Sequence, residues 1–491
     1  METLEARAHG ALRLRRSFLN LLQPVNRLLP DILSRIIRYI PCEDDTDTQA
    51  TISLTHVCRY WREFIISTPW NWTLISNEDK CLAALSLQRA KAAPLEVYLD
   101  VSQPGPGPKF FKLIDPCIQN IKTLHFSGFQ KVKTLTGILR NFPRLSPNLQ
   151  SLALVRIKVD ATYYTSRESH SIDPFESLAP GLRYLELADV PLYPSFLRLR
   201  ALTELVLNDH RFDLHLDTLL DFLEENRSLK NATLDIRCTE PSLRSPRHRA
   251  AIVNQLQHLS INASTGNTEE GKALVAKIAL QRGAHLELVF DHYEWLKDLL
   301  TSIPTTQLSN LPSPIFMEHK YAPSGRSLRL LGPNGSFLFR DSYDQERPPV
   351  AFHLLPLAHI RELRLIHSIP QYLSFPRDMF NLSFFPALET FAIACGLWLP
   401  RLLSDFLSNP SFSHSLKTLS FLNCNLSGDF MEELTQFAFD RKNMTTSAWL
   451  HRVVIVDSQE NLPNAASIAE LGKHVQTVDV RVGKELPTDL A

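Results

Sequence analysis

The sequence has no apolar run that approaches the length of a membrane span. It also has no excess of charge, because 52 Lys and Arg residues balance 52 Asp and Glu residues. This balance argues against nucleic acid as the main ligand, since phosphate binding needs a basic face. The contents of 44% hydrophobic and 21% charged residues are typical of a soluble globular protein. A chain of 491 residues predicts a small module plus a larger body, or a repeat array.

Cysteine is sparse, and no two of the seven cysteines have the spacing of a metal site or a redox motif. An odd, scattered set does not indicate a disulfide framework. We therefore expect reduced thiols in the core of a cytoplasmic or nuclear protein.

Motifs for catalysis are missing as well. Neither a His-x-x-x-His zinc motif with a following acid nor a Gly-x-Ser-x-Gly elbow occurs. Residues 266–273 (GNTEEGKA) come within one residue of a phosphate-binding loop, but Ala273 lacks the hydroxyl that would hold magnesium, and Glu269 and Glu270 would repel phosphate. The sequence predicts no cofactor, no metal and no enzyme; a nucleotide-dependent enzyme built on Gly266–Lys272 stays as an alternative that nucleotide titration would test.

Two amphipathic helices are predicted near the N-terminus. Pro30 followed by Asp31 is typical of a helix start, because proline fits the first turn and an acid suits the positive end of the helix dipole. The apolar residues of 32–37 form one stripe, residues 42–51 read as an acidic loop, and residues 54–65 read as the second helix. About fifty residues cannot hide this much apolar surface, which indicates a contact surface.

Three segments here resemble a known module. Residues 25–37 read VNRLLPDILSRII, residues 54–62 read LTHVCRYWR, and residues 67–75 read STPWNWTLI. Together they resemble an F-box, the small helical module that docks onto the Skp-type adaptor of cullin–RING ubiquitin ligases. Leu29 replaces a proline that many members carry, and Asp31 replaces the usual glutamate.

The resemblance implies ten adaptor-binding residues. They are Leu28, Pro30, Ile32, Leu33, Ile36, Ile37, Val57, Cys58, Trp61 and Trp72. It also implies a partner, the adaptor, and through it a cullin–RING ligase.

One pattern, apolar-x-x-apolar-x-apolar, returns through the rest of the chain. Neighbouring copies are mostly about 20 to 35 residues apart, which resembles leucine-rich repeats with one strand and one helix per unit. The copy at 416–426 (LKTLSFLNCNL) fits the full leucine-rich pattern, and helices are predicted at 217–226, 402–407 and 428–439. The triads begin at Ile121, Leu149, Leu182, Leu202, Leu256, Ile360, Leu388, Leu416, Leu450 and Val475, with a weaker copy at Leu229.

The predicted fold class is α/β, with a small all-α F-box module followed by an irregular leucine-rich-repeat solenoid. The predicted organisation is a helical lead-in at 1–25, the F-box at 26–75, solenoid at 76–290, an inserted segment at 291–350 and solenoid again at 351–491. The insertion breaks the rhythm, and residues 327–340 predict a hairpin around Asn334-Gly335.

The arrangement resembles the substrate-recognition subunits of SCF-type ubiquitin ligases, especially those of the expanded fungal F-box sets. We expect an unknown target protein to bind the strand face of the solenoid, with no role for nucleic acid or membrane. An adaptor-binding scaffold without ubiquitin transfer is the alternative. The expected target-binding residues are Arg183, Glu186, Glu204, Arg361, Arg364, Lys417, His451 and Arg452.

Overall fold

The structure is a computed structural model of the whole chain. It describes residues 2–38, 49–102, 108–129, 147–156, 181–190, 196–211, 216–237, 251–253, 255–263, 274–275, 277–280, 283–290, 316–322, 325–332, 335–341, 357–367, 385–394, 414–424, 426, 428–444, 449–457 and 462–482. These residues form a mixed α/β protein in which most strand pairs are parallel.

Nine α-helices are described in these ranges. They are α1 Glu2–Leu21, α2 Pro30–Arg38, α3 Gln49–Leu54, α4 Arg59–Ser67, α5 Lys80–Ala90, α6 Pro108–Ile114, α7 Leu216–Glu225, α8 Gly428–Asn443 and α9 Ala465–Leu471. Short 3-10 turns occupy Pro24–Arg27, Pro69–Trp72, Asp115–Asn120, Phe196–Arg198 and Leu357–His359.

Nineteen strands are described in the same ranges. They are β1 Leu74–Ser76, β2 Leu95–Asp100, β3 Ile121–Phe129, β4 Ser151–Arg156, β5 Tyr184–Ala188, β6 Glu204–Arg211, β7 Asn231–Arg237, β8 Ala251–Val253, β9 His258–Ala263, β10 Ile278–Leu280, β11 His285–Phe290, β12 Phe316–Ala322, β13 Gly325–Gly332, β14 Gly335–Asp341, β15 Glu362–His367, β16 Thr390–Ala394, β17 Thr418–Leu422, β18 Arg452–Asp457 and β19 Thr477–Val482.

The first of two compact units is Met1–His210. All its described elements before β1 are helical, and its six strands then pair in parallel in chain order, from β1 to β6. Helix α5 begins at Asp79, whose carboxylate accepts from the backbone N–H groups of Cys81 and Leu82 at 2.8 and 3.1 Å. This helix packs against the 3-10 turn Pro69–Trp72 and against β1, so it joins the helical part to the sheet.

The second compact unit is Arg211–Ala491. Strands β7, β9, β11 and β14 pair in parallel, as do β12 and β15 to β19 in chain order. Between these two runs, β13 pairs antiparallel with both β12 and β14. Strands β8 and β10 form a separate parallel pair.

Every apolar triad of the sequence coincides with a strand, which begins two residues after the first apolar position in every copy except the one at Ile121, where β3 begins at Ile121 itself. In all but one of these copies the three triad residues are buried, as in Leu182, Leu185 and Leu187, each 0% exposed. Only the copy at Val475 differs, because its last two residues in β19 are half-buried. Parallel pairing places equal triad positions side by side, which explains why the same positions recur in the core. The strands β1, β2 and β11 were not among the predicted copies.

The N-terminal helices depart from prediction in two places. The helix start at Pro30 and the end before Pro69 are confirmed. However, the single helix predicted over 54–65 is wrong, because α3 ends at Leu54 and α4 begins at Arg59. Cys58 causes this break: its backbone is extended, and its Sγ accepts from the N–H of Trp61 at 3.5 Å, which caps α4. Residues 49–51, predicted to be loop, belong to α3.

Several other predictions can be compared with the structure. A helix is present within the predicted lead-in as α1, and α7 and α8 match two of the three predicted repeat helices. The hairpin is confirmed as β13 and β14, with Gly332 opposite Gly335. Asn334, the helix predicted at 402–407 and the Gly266–Lys272 loop lie outside the described residues, and the predicted domain boundaries remain predictions.

No described helix combines the length and the apolar character that crossing a membrane would take.

The four described cysteines are free thiols, as predicted, but only Cys424 belongs to the core. Cys58 and Cys117 are half-buried, and Cys81 is exposed. Burial raises the pKa of the Cys117 thiol.

Candidate functional site

The ten predicted adaptor-binding residues divide into two groups by burial. Leu33, Ile37, Trp61 and Trp72 are between 0% and 8% exposed and form the interior of the helical segment. Leu28 and Cys58 are half-buried, whereas Pro30, Ile32, Ile36 and Val57 are exposed. The sequence pattern could not make this division, because exposed and buried residues belong to the same apolar stripe.

Hydrogen bonds from the two buried tryptophans hold the helical segment together. The Trp61 indole donates to Oδ1 of Asn26 at 2.7 Å, which links α4 to the turn that precedes α2. The Trp72 indole donates to the carbonyl of Ile65 at 2.8 Å, and the guanidinium of Arg89 lies 4.2 Å from the centre of the Trp72 ring. The two buried tryptophans are therefore structural residues of the helical segment and not part of its exposed surface.

The exposed residues give α2 an apolar outer surface. Ile32 and Ile36 are 42% and 38% exposed and lie four residues apart, so they occupy one face of the helix. Leu29 and Val57 are 70% and 57% exposed. We name Leu29, Ile32 and Ile36, which share one face at spacings of three and four residues, the α2 patch.

A second feature is a polar depression of about 360 Å³ on the strand surface of the N-terminal unit. Seven of its lining residues come from β2, β3 and β5: Tyr98, Asp100, Thr123, His125, Ser127, Tyr184 and Glu186. Alternate residues of these strands face it, while the intervening ones, such as Leu99 and Phe126, are buried.

The depression is acidic and aromatic. Glu78, Asp100 and Glu186 line it, and its described lining contains neither lysine nor arginine. The rings of Tyr98 and His125 stack with centroids 5.4 Å apart. The Tyr184 hydroxyl donates to Glu186 at 2.8 Å; burial raises the pKa of Tyr184, and this contact raises it further. Of the predicted target-binding residues, Glu186 lines this site, whereas Arg183 and Glu204 do not.

In the C-terminal unit, four predicted target-binding residues form ion pairs along the sheet. Glu389 lies 3.0 Å from the Lys417 ammonium and 3.9 Å from the Arg361 guanidinium, which joins three neighbouring repeats. Arg364 pairs with Glu362 at 2.6 Å. Arg452 similarly pairs with Asp479 at 2.9 Å.

The fifth residue, His451, is exposed and continues the row of residues that precede the strands. Its backbone N–H donates to the carbonyl of Lys417 at 2.8 Å, just as the N–H of Lys417 donates to that of Glu389. These positions are therefore a regular structural row. Any role in target binding stays a prediction.

A third feature, missed from the sequence, is a group of two histidines and one acid. His258 on β9 lies directly opposite His285 on β11, and Glu287 follows two residues later on the same face. Their nitrogen and oxygen ligand atoms lie within 4.8 Å of one another. The apolar triad pattern did not reveal this group. Gly283 stands where the first apolar residue of a triad would be, so β11 was not recognised as the counterpart of β9.

The comparisons with known proteins do not identify a family: no protein-family model matches this chain, and no curated protein matches it.

Proposed function

We propose that this protein is the substrate-recognition subunit of an SCF-type ubiquitin ligase. Its N-terminal helices act as the F-box and dock onto the Skp-type adaptor, and its parallel strands act as a leucine-rich-repeat solenoid that binds the target protein. The protein forms and breaks no bond. It raises the effective concentration of the target beside the ubiquitin-charged enzyme by holding both on one scaffold.

The observation that carries this proposal is the α2 patch. Isolated exposed apolar residues are ordinary, but Leu29, Ile32 and Ile36 share one exposed face of α2, while Leu33 and Ile37 of the same helix are buried, and this face provides a contact surface. The resemblance of residues 26–75 to an F-box favours the adaptor as its partner.

The polar depression supports a choice of target chemistry. Its three carboxylates favour a positively charged segment, and its stacked rings offer flat faces to a cation. We therefore propose that the target presents lysine or arginine side chains to this site. The ion-paired row of the C-terminal unit is a weaker candidate, because its charges already compensate one another.

The docking proposal is tested by placing charges in the α2 patch. Ile32→Asp with Ile36→Asp puts two carboxylates on the exposed face of α2, and we expect at least a tenfold loss of adaptor recovered in a pull-down. Ile37 is unsuitable for this test because it is 8% exposed, so an acid there would disturb the fold.

A matched control is available on α1. Leu14 and Phe18 are 71% and 64% exposed and have the same four-residue spacing, but they do not belong to the predicted docking residues. Leu14→Asp with Phe18→Asp should leave adaptor recovery unchanged. Full adaptor binding by the α2 variant, with normal circular dichroism, would refute the docking proposal.

The alternative function is an adaptor-binding scaffold without ubiquitin transfer. The same pull-down does not separate it from the ligase subunit, because both bind the adaptor. Proximity labelling in cells with and without proteasome inhibition provides the distinction. A ligase subunit should label targets that accumulate under inhibition and are ubiquitinated in a reconstituted reaction, whereas a scaffold should label neighbours whose abundance does not change.

A further inference from the structure

We infer that His258, His285 and Glu287 form a binding site for one divalent transition-metal ion, with Zn²⁺ as the best fit, between β9 and β11. This site goes beyond the proposed function, since adaptor docking does not require it. It also departs from the expectation of no metal drawn from the sequence.

Strand register brings the three side chains together. In parallel strands, residues in register lie side by side about 4.8 Å apart, and residues two apart share a face. His258 and His285 are in register, and Glu287 is two residues beyond His285. The backbone alone therefore brings three metal-ligating side chains to one place on the sheet.

The strands that carry the three side chains are held rigidly. Leu259, Ile261, Leu286 and Leu288, which alternate with the site residues, are at most 4% exposed. The N–H of His258 donates to the carbonyl of Lys230 at 2.9 Å, and that of His285 donates to the carbonyl of Gln257 at 2.6 Å. The ligands thus project from strands that the core holds on their other face.

The distances between the donor atoms are close to those of a zinc site. Nε2 of His258 lies 3.9 Å from a carboxylate oxygen of Glu287, and one ligand atom from each of the three residues lies within 4.8 Å of the other two. Tetrahedral zinc with bonds of about 2.1 Å places its ligand atoms about 3.4 Å apart. Side chains that are partly exposed can close this difference by small rotations.

A hydrogen bond with the neighbouring strand orients the ring of His285. Nδ1 of His285 is hydrogen-bonded to the hydroxyl of Ser336 on the neighbouring strand β14, where the two residues are in register. A metal-binding histidine commonly uses its other ring nitrogen in this way, which fixes the ring and directs the free nitrogen to the metal. Nε2 of His285 is therefore the proposed ligand atom.

The two histidine rings also pack on each other. The rings of His258 and His285 stack with centroids 4.7 Å apart. This contact holds the two imidazoles side by side at the proposed site.

The donor set selects the class of ion. Two imidazoles and one carboxylate are the protein ligands of known zinc sites, in which water or a donor atom of another molecule completes the coordination. A set with two nitrogen ligands is too soft for magnesium or calcium, which prefer oxygen alone. Because both strands contribute ligands, the ion would tie β9 to β11.

The test uses the full, untagged chain after treatment with a chelator. Zn²⁺ titration by calorimetry is compared between the wild type and the variants His258→Gln, His285→Gln and Glu287→Gln. We expect each variant to lose one binding event or to weaken its Kd at least tenfold. Substitution with Co²⁺ should give visible bands of a four- or five-coordinate ion in the wild type only.

His474→Gln is the matched control, because His474 is a half-buried histidine of the same compact unit whose ring packs on the Phe439 ring, but it does not belong to this group. It should bind Zn²⁺ like the wild type. Circular dichroism in chelator checks the fold of each variant, and if His285→Gln unfolds through loss of the Ser336 contact, the other two variants decide. Equal stoichiometry and affinity in the wild type, His258→Gln and Glu287→Gln would overturn the site, whatever the outcome of the adaptor experiment.

Discussion

At the scale of single residues, polar side chains determine how the N-terminal helices are joined. Asn26 lies in the turn before α2, accepts from the Trp61 indole, and donates its own amide to the carbonyl of Asn20 at 2.5 Å. One side chain thus connects α1, the turn and α4. Sequence reasoning found the tryptophan but not its partner, because the two are 35 positions apart.

We predict that Asn26→Ala lowers the free energy of unfolding of the helical segment by about 1–3 kcal/mol. The reason is that the buried indole N–H of Trp61 loses its acceptor. A double-mutant cycle with Trp61→Phe, followed by thermal unfolding, measures the coupling. Strictly additive effects of the two substitutions would contradict the role of this hydrogen bond.

Asp479 should make stability depend on pH. Its hydrogen bond with Arg481, and next that with Arg452, lower the pKa of this carboxyl. A carboxyl whose pKa is lower in the folded state stabilises the fold fully above its unfolded pKa of about 3.9, and this contribution is lost as the pH falls through the folded value.

The measurement compares the unfolding temperatures of the wild type and Asp479→Asn between pH 2 and pH 7. The wild type should be the more stable protein by a constant margin above about pH 5, and the margin should shrink below about pH 4. The contribution is small because the ion pairs are partly exposed. A margin that does not depend on pH would exclude the carboxylate as its cause.

At the scale of elements, the strands tolerate irregularity where glycine permits it. The pairing of β3 with β4 shifts register between Ser127 and Phe129, and the residue between them, Gly128, has a φ of 80°. A Cβ at this position would lie 2.6 Å from the backbone nitrogen of Ser102. Only glycine combines this backbone conformation with such a close approach.

Gly128→Ala is therefore predicted to destabilise the N-terminal unit by about 1–3 kcal/mol. Gly181→Ala is the matched control, since nothing lies within 4 Å of its Cβ position, and it should change stability by less than about 1 kcal/mol. Urea unfolding followed by tryptophan fluorescence includes this unit, because it contains three of the six tryptophans of the chain, Trp61, Trp70 and Trp72. Equal midpoints for the two variants would contradict the bulge.

At the scale of the whole molecule, the two proposed sites belong to different compact units. The α2 patch lies within Met1–His210, whereas His258, His285 and Glu287 lie within Arg211–Ala491. We therefore expect the two activities to be separable. Glu287→Gln should retain full adaptor recovery in the pull-down, and Ile32→Asp with Ile36→Asp should retain the wild-type Kd for Zn²⁺ within about twofold. Loss of both activities in either variant would show that the units are coupled.

The sequence by itself determined where most strands lie and which of their residues are buried. Local patterning was sufficient for this, because each triad such as Leu416, Leu419 and Phe421 repeats the same periodicity and parallel pairing places like positions together. The start of α2 was predicted in the same way, from Pro30 and the acidic Asp31 that follows it.

Only the tertiary structure decided which apolar residues of the N-terminal helices face outward, and which polar residues meet on the sheet. Ile36 and Ile37 have equal hydrophobicity, yet Ile36 is 38% exposed and Ile37 is 8% exposed. His258 and His285 are 27 positions apart and become neighbours through register alone. Contacts between distant segments depend on packing and pairing, which no local pattern specifies.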